Sequence, residues 1–567
     1  MKININKAGR WLFAFLILFT IGLVTNATEL GTLEPHKFYF YPNTDQELSW
    51  KVISGELSPG DLDYEIIDFH GNKIQESTAS TTDNIHVTST VNLPQGYYII
   101  KFINLNTQFG LSVLPYLDPA LEPDRFFAMH ADLCHDDRLT YLSTEDQETR
   151  HENLFRILYK TGIRKVRDRV RPVQFAPSAD TWSWQGTTYR YEDARQLFNQ
   201  YDIDVLGYFA LSPGWMKRPA DNIPGSNMNE NKYPSDLHAL TETWLKIYGR
   251  WQNELEVIEI WNEPHGVVED RVAPMVHAMA YAFQTAEHNV ELATTAFAGL
   301  PKRIVTNMGQ MGCWGAVDKL TFHTYASPGQ MEGRTRFFAD HMATFDNPYM
   351  PASITECGQK YIGGLWPTLT QEYHRSEDII GNTVEARAAG VESMYPFFFR
   401  AAQFLEGDNI TQHSMIDIYG TPYLSMASYT NAIIQLAHKE YLGDLNVSHP
   451  NIKSDRIFGD GDTAVVVLYS DGESSISVSA PVQNIYGMDG RLLELTETNE
   501  IPMTDRIVYA VFKQSDLDGS INTNSSMMDL YERSKQSGMM GPRKTYPVVL
   551  QHFADYDHLE YTDAGYR

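Results

Sequence analysis

The sequence predicts an α/β protein in which a (β/α)8 TIM barrel is flanked by an N-terminal β-sandwich and a C-terminal β-domain. Length is the first observation, because 567 residues exceed one ordinary domain. The second is that strand-like and helical segments alternate only in the middle of the chain, whereas short strand-like segments occupy both ends. The third is composition: 43% hydrophobic and 21% charged residues are typical of a globular protein and disfavour disorder or a coiled coil.

The first 27 residues have the pattern of a secretory signal peptide. Lys2, Lys7 and Arg10 precede an apolar run from Trp11 to Val24, and small residues follow it. The run is shorter than the ~20 apolar residues that a membrane-spanning helix needs. We therefore expect a secreted or periplasmic protein that has no integral membrane span once residues 1–27 are removed. Retention of this segment as an anchor is the alternative.

Residues 28–118 predict a small β-sandwich. Segments such as Lys37–Tyr41 and Tyr97–Phe102 are rich in the aromatic and β-branched residues of strands, and the stretch around Gly71 has turn residues. Closely spaced prolines then mark a linker to the next domain.

Residues 123–442 predict the barrel. Helical patterns at Arg150–Thr161, Tyr191–Tyr201 and Leu237–Trp251 each lead into an apolar strand, as in a parallel sheet with crossover helices. A doubly wound open sheet is the alternative, but no glycine-rich phosphate loop follows any strand. Eight strands are predicted, at residues 126–130, 163–170, 204–209, 257–261, 303–307, 319–323, 352–355 and 391–398.

Residues 443–567 predict a C-terminal β-domain, with strands at 463–468 and 506–512 and without helices. The polar segment 514–545 predicts a loop within it, followed by the tail.

Charge and cysteine content restrict the partners. The formal charge is 45 − 72 = −27, which repels phosphate backbones and excludes nucleic acid as a partner. The three cysteines form no CxxC pair, so we expect free, buried thiols. We expect neither a metal nor a cofactor, because the sequence has no HExxH motif and no tight His/Asp cluster. The sequence does not indicate an oligomeric state.

Two acidic residues lie where predicted barrel strands end. The segment Ile258–Gly266 is an apolar strand that ends in Trp, after which Asn262, Glu263 and a proline turn the chain. The segment Ala352–Gly358 is a second strand that ends in an acid, Glu356, followed by a break. Barrel enzymes keep their sites at this end of the strands. One carboxyl group to protonate a leaving oxygen and another to attack or to activate water suit glycoside hydrolysis.

These residues resemble those of clan A glycoside hydrolases over roughly residues 125–442. The strings Glu259–Pro264 and Ile416–Pro422 are similar to glycoside hydrolase family 39. The resemblance implies an acid/base after strand four and a nucleophile after strand seven, the positions of Glu263 and Glu356. It also implies that Asn262 binds the sugar 2-hydroxyl, and that the mechanism is retaining with carboxyl groups ~5–5.5 Å apart.

Polar residues on three other strands resemble clan positions. His323 and Tyr325 end the sixth strand and resemble a His-x-Tyr motif whose Tyr binds the nucleophile; a buried core pair is the alternative. Arg167, favoured over its neighbour Arg169 on the same face of strand two, resembles the arginine that keeps the nucleophile ionised; a surface ion pair is the alternative. His130 follows strand one and is a candidate for binding a sugar hydroxyl.

Tryptophans are candidates for sugar contact, because a flat apolar ring matches the face of a pyranose. Trp215 belongs to a Ser-Pro-x-Trp string like that of the clan, and Trp261 directly precedes Asn262. Trp314 is a third candidate, and a core position is the alternative for each.

The sequence therefore predicts a secreted, retaining glycoside hydrolase acting on a poly- or oligosaccharide. Two alternatives remain open: a non-catalytic glycan-binding barrel, and a metal-dependent polysaccharide-degrading enzyme.

Overall fold

The computed structural model describes residues 28–567 apart from a set of gaps, and the predicted signal peptide, residues 1–27, lies outside it. Among the described residues, no helix combines the length and apolar character needed to cross a membrane. The gaps are 58–59, 82, 106, 136–142, 187–188, 210, 217–233, 235, 265–268, 346, 348–349, 361–366, 401–412, 473, 496, 504–505, 537–542, 546–560, 563–564 and 567.

The N-terminal domain is a β-sandwich of eight strands in the order β1-β3-β6-β5-β4-β7-β8-β2. Trp50 on β3 packs edge-on against Phe102 on β7, 5.2 Å between ring centroids, and lies 5.9 Å from Phe109 on β8. Strand β3 neighbours neither β7 nor β8, so the sheet curls over and its inner face closes on the aromatic cluster. Its strands are β1 Glu29–Gly31, β2 Tyr39–Phe40, β3 Gln46–Ser54, β4 Asp61–Asp68, β5 Lys73–Thr81, β6 His86–Val91, β7 Gly96–Phe102 and β8 Gln108–Val113.

The central domain is the predicted TIM barrel, built from parallel strands in strictly sequential order. The barrel closes where the Ala128 N–H donates to the Met394 carbonyl at 3.1 Å, next to the first and last strands. The strands are β9 Met129–His130, β10 Lys165–Val170, β11 Asp204–Phe209, β12 Leu255–Asn262, β13 Glu291–Ala298, β14 Leu320–Thr324, β15 Ala352–Cys357 and β16 Ser393–Pro396. The α-helices between and after them are α1 Thr144–Thr161, α2 Pro172–Phe175, α3 Tyr191–Gln200, α4 Leu237–Trp251, α5 Glu269–Thr285, α6 Lys302–Gln310, α7 Met331–Ala343, α8 Leu369–Ala388 and α9 Leu424–Leu436.

One predicted barrel strand was wrong. Residues 303–307 lie within helix α6, where Val305 and Met308 are buried three positions apart, as on one helix face. The fifth strand is β13, which is made largely of Ala and Thr and has only two large apolar side chains, Leu292 and Phe297, so that it does not stand out in sequence as a buried strand. Because β13 takes the place of the wrongly predicted fifth strand, the count is unchanged and Glu356 still lies at the end of the seventh strand.

The lower barrel interior is a packed core, which leaves the carboxyl ends of the strands for the site. One interior cluster is fully enclosed by strands, and its members are Ala128, Leu206, Tyr208, Val257, Ala293 and Tyr395.

The C-terminal domain is a β-domain built on a six-stranded sheet in the order β21-β23-β19-β18-β17-β24. Its polar segment 514–545, predicted as a loop in a domain without helices, contains the short helix Gln514–Leu517 and the longer helix Ser525–Lys535, which corrects both predictions. Asn524 caps the longer helix by accepting from the Met527 N–H, and Met527 and Leu530 are buried. The elements are β17 Glu440–Leu445, β18 Ile452–Gly459, β19 Thr463–Ser470, β20 Ser475–Ser477, β21 Asn484–Gly487, β22 Glu500–Pro502, β23 Ile507–Lys513, α10 Gln514–Leu517, β24 Ile521–Asn522, α11 Ser525–Lys535, β25 Tyr561–Thr562 and β26 Gly565–Tyr566.

The sandwich packs directly on the barrel segment that precedes α9. The Tyr97 hydroxyl donates to the Pro422 carbonyl at 3.2 Å, and the Phe109 ring lies 5.9 Å from Tyr419. A Cβ atom added to Gly110 would lie 1.7 Å from the Pro422 carbonyl oxygen. Only glycine permits this close approach of the two backbones.

Candidate active site

Glu263 and Glu356 meet at the carboxyl ends of barrel strands. Glu263 directly follows β12, with a φ of +43° and its N–H donating to Ala296 O at 3.1 Å. A left-handed φ is rare for a residue with a side chain and is concentrated at functional sites. Glu356 is the penultimate residue of β15 and is 9% exposed.

His323 connects the two carboxylates. Its Nδ1 lies 2.7 Å from Glu263 Oε1 and 3.4 Å from Glu356 Oε2, and one polar atom of each of the three side chains lies within 4.8 Å of the others. The ring is 1% exposed, and its Nε2 has no hydrogen-bond partner among the described residues. Since carboxylates only accept, Nδ1 carries a proton, which it donates to Glu263.

Glu356 is held as a carboxylate. Burial by itself raises the pKa of this group, but His323, Arg167 and a hydrogen bond from Tyr325 overcome that effect and lower the pKa to about 2. Arg167 Nη1 donates to Oε1 at 2.8 Å and the Tyr325 hydroxyl donates to Oε2 at 2.8 Å. Glu356 is therefore ionised at neutral pH, the state required of a nucleophile.

Arg167 holds the base of the site together. Its Nη2 donates to Glu259 Oε1 at 2.5 Å and to Asn262 Oδ1 at 2.6 Å, while its guanidinium carbon lies 3.7 Å from the centre of the Tyr208 ring. The planar fork thus links β10 to β12 and, through Glu356, to β15. Asn262 is placed beside the acid pair, with its carbonyl oxygen turned toward Arg167.

His130 lies beneath this network. It is 0% exposed, its Nδ1 accepts from Arg167 Nη1 at 3.2 Å, and its Nε2 lies 3.2 Å from the Tyr208 hydroxyl. Burial lowers the pKa of His130 to about 4, so the ring is neutral and Arg167 is the fixed positive charge next to Glu356. At this position His130 contacts Arg167 and is not exposed at the surface of the site.

The predicted tryptophans occupy different environments. Trp261 is 2% exposed and packs on Phe209, 5.4 Å between centroids, and Trp314 is 1% exposed against Phe297. Neither offers the open face that sugar stacking requires. Trp215 is half-buried, and its indole N–H donates to the Ala176 carbonyl at 2.9 Å.

Two residues of the site were missed from sequence. Glu259 is fully buried beneath Arg167, and the available signal was an acid within the otherwise apolar strand β12. Phe397 packs 4.9 Å from His130 and 6.5 Å from Tyr325 between ring centroids, so that it forms one side of the site.

Within the part of the chain that the structure describes, two groups of His and carboxylate atoms are close enough to suggest a metal: Glu263, His323 and Glu356, and a second group formed by Asp132, His135 and Asp168. The second is a tight His/Asp cluster that the sequence spacing did not reveal. In each group a guanidinium contacts one carboxylate, Arg167 at 2.8 Å and Arg169 at 3.3 Å. A fixed cation there competes with a metal ion for the same oxygens. Of the remaining predictions, the three cysteines are free and buried, as expected.

No family model and no curated protein matches the chain. Solved structures do. A family 39 glycoside hydrolase from the gut symbiont Bacteroides cellulosilyticus WH2 matches with a TM-score of 0.67 and 11% identity, over 86% of this chain and 100% of that one. A GH30 endoxylanase from Clostridium papyrosolvens has a TM-score of 0.49 and 12% identity, over 70% of this chain and 98% of that one. A GH39 β-xylosidase from Caulobacter crescentus has a TM-score of 0.47 and 14% identity, also over 70% and 98%. The match to the family 39 structure confirms the predicted fold, and this chain has the fold of that structure.

Proposed function

We propose that this protein is a retaining glycoside hydrolase that cleaves an O-glycosidic bond of a poly- or oligosaccharide by double displacement. Glu356 is the nucleophile and Glu263 is the acid/base. The spacing of the two carboxylates carries the proposal: their nearest oxygens lie within 4.8 Å. Inverting enzymes keep their carboxyl groups ~6.5–9.5 Å apart to hold a water between them, whereas retaining enzymes keep them ~5–5.5 Å apart.

In the first step, Glu356 attacks the anomeric carbon while Glu263 protonates the departing glycosidic oxygen. The bond to the leaving group breaks and a glycosyl ester of Glu356 forms. Arg167 and Tyr325 hold both oxygens of Glu356 before the attack, so the reacting carboxylate is oriented in advance.

In the second step, Glu263 removes a proton from water, which attacks the same carbon and releases Glu356. Two inversions give net retention. Glu263 enters this step ionised, and the 2.7 Å hydrogen bond from His323 matches that state. His323 thereby keeps the base pointed into the site.

The test is hydrolysis of a panel of 4-nitrophenyl glycosides and polysaccharides by wild type, Glu263→Ala and Glu356→Ala. Glu47→Ala, an exposed acid on the sandwich, is the matched control. We expect activity only in wild type and control. Azide should rescue Glu356→Ala with an inverted glycosyl azide and Glu263→Ala with a retained one. Wild-type turnover in both site variants would overturn the assignment.

The non-catalytic alternative is disfavoured because both acids are present and hydrogen-bonded as the reaction requires. A wild-type protein that binds the glycans of the panel without cleaving any of them would instead support it.

We also propose that the protein is exported and cleaved after its signal peptide, on the pattern of residues 1–27. N-terminal sequencing of the full chain expressed with its own leader tests this. A mature start near Thr28 is expected, and an intact N-terminus in the membrane fraction would indicate an anchor.

A further inference from the structure

Glu259 is a fully buried acid to which the double-displacement scheme gives no task. It lies on β12 and is 0% exposed. Its Oε1 accepts from Arg167 at 2.5 Å, and its Oε2 has no hydrogen-bond partner among the described residues. Burying a carboxylate with one oxygen unpaired costs stability, and an ion pair of this kind is poor evidence of a stabilising role. A role in the chemistry of the neighbouring groups explains its presence better.

The charges at the base of the site change during the proposed reaction. Before the first step, Arg167 lies between two carboxylates, Glu259 on Nη2 and Glu356 on Nη1. When Glu356 becomes a glycosyl ester it loses its charge, because the bond to the anomeric carbon uses the electron pair that carried it. Glu259 is then the carboxylate still paired with the buried guanidinium.

We propose that Glu259 is a positioning residue that remains the counter-ion of Arg167 while Glu356 is esterified. The proposal rests on the proposed function. It has two parts: Glu259 keeps the guanidinium charge compensated in the covalent intermediate, and it makes the buried triad of Glu259, Arg167 and Glu356 negative overall when positive charge develops on the sugar.

Glu259 also sets the direction of the guanidinium. The group lies over the Tyr208 ring, so its plane is fixed from below, and the bond from Nη2 to Glu259 fixes its rotation within that plane. Nη1 is then aimed at Glu356 at 2.8 Å. A neutral amide at position 259 keeps this aim but removes the charge.

The two steps therefore respond differently to Glu259→Gln. The free enzyme is destabilised little by this change, since Glu356 still neutralises Arg167. The intermediate is destabilised, since an unpaired guanidinium is left buried. The first step should slow, whereas the second should keep its rate or accelerate.

The experiment measures each step with slow substrates, the 2,4-dinitrophenyl 2-deoxy-2-fluoro glycosides of the β-D-xylo, β-D-gluco and β-D-galacto series. The inactivation rate reports formation of the ester, and reactivation after removal of the probe reports its hydrolysis. For Glu259→Gln we expect inactivation at least tenfold slower and reactivation no more than threefold slower than wild type. The inactivation rate of Glu259→Asp, which keeps the charge, should lie between the rates of wild type and Glu259→Gln.

Glu385→Gln is the matched control. Glu385, on helix α8 and outside the site, forms a buried ion pair with Arg456 at 2.8 Å. Glu385→Gln should lower the Tm and leave both rates unchanged. Equal slowing of both steps by Glu259→Gln would indicate a merely structural role and overturn the inference, as would two unchanged rates. If Glu259→Gln does not fold, Glu259→Asp, whose shorter side chain weakens the ion pair with Arg167, decides by whether it slows inactivation more than reactivation. A wild type labelled by none of the probes would overturn the proposed function and this inference with it.

Discussion

Tyr325→Phe isolates one hydrogen bond to the proposed nucleophile. The Tyr325 hydroxyl donates to Glu356 Oε2 at 2.8 Å, and the ring itself packs against Phe397 and His413, contacts that phenylalanine retains. A hydrogen bond to a charged group contributes ~1.5–3 kcal/mol, and one pKa unit corresponds to ~1.36 kcal/mol. Loss of the bond should therefore raise the pKa of Glu356 from about 2 by about one to two units.

The direction of the shift in the pH profile follows from the ionised state that the nucleophile needs. Since kcat/KM falls as Glu356 becomes protonated, the acid limb of its pH profile should move upward by about one to two units in Tyr325→Phe. The assay is initial-rate hydrolysis of the best aryl glycoside between pH 3 and 7, with circular dichroism at each pH to confirm that the protein stays folded. Tyr281→Phe, which is 38% exposed on helix α5, is the control. An acid limb within about 0.3 unit of wild type would refute the reasoning.

Three further variants test the site and its supports. Arg167→Lys replaces a fork that reaches several acceptors with one point charge, so kcat/KM should fall by at least ~100-fold, the loss of about two charged hydrogen bonds. Gly110→Ala brings Cβ to 1.7 Å from the carbonyl oxygen of Pro422 and should lower the free energy of unfolding by ~3 kcal/mol. In its control, Gly249→Ala, the added Cβ lies in a helix and meets no atom of another part of the chain within 4 Å, so the free energy of unfolding should rise by ~0.5–1 kcal/mol. Denaturant titrations measure both changes. Burial raises the pKa of Asp417 to about 6, so the folded state binds a proton more tightly and stability falls as pH rises from about 4 to about 6; Asp417→Asn should remove ~3 kcal/mol of that fall.

Each of these has a contrary result. Full activity of Arg167→Lys would show that charge alone suffices next to Glu356. A stable Gly110→Ala would mean that the sandwich shifts away from the barrel without cost. An unchanged stability slope in Asp417→Asn would place the pH dependence on other buried acids.

The proposed catalytic pair could be predicted from sequence because it depends on short local patterns. Glu263 and Glu356 each end an apolar strand and precede a chain break, and parallel strands bring such positions to one end of a barrel. His323 and Tyr325 were identified by their resemblance to a His-x-Tyr motif, and the alternation of side chains along a strand placed both on one face. The structure brings all four together, with Arg167 next to Glu356 as expected.

The remaining features depend on packing that short patterns do not encode. The Ala- and Thr-rich strand β13 was missed, because only its neighbours on both sides bury it. Trp261 and Asn262 are adjacent, yet Trp261 packs on Phe209 while Asn262 reaches Arg167, so alternation along the strand did not identify which of the two lines the site. Glu259 was missed because a buried acid is recognised only once its partner is known.

The contact between the sandwich and Pro422 also sets an order of events in the making of the protein. The Tyr97–Pro422 hydrogen bond joins residues 325 positions apart in the chain. Translation proceeds at ~5–20 residues per second, so roughly 15–65 s separate the synthesis of its two ends. During that interval the face of the sandwich around Gly110 lacks its barrel partner. An N-terminal domain that folds before the barrel is complete therefore exposes a surface that the finished protein buries.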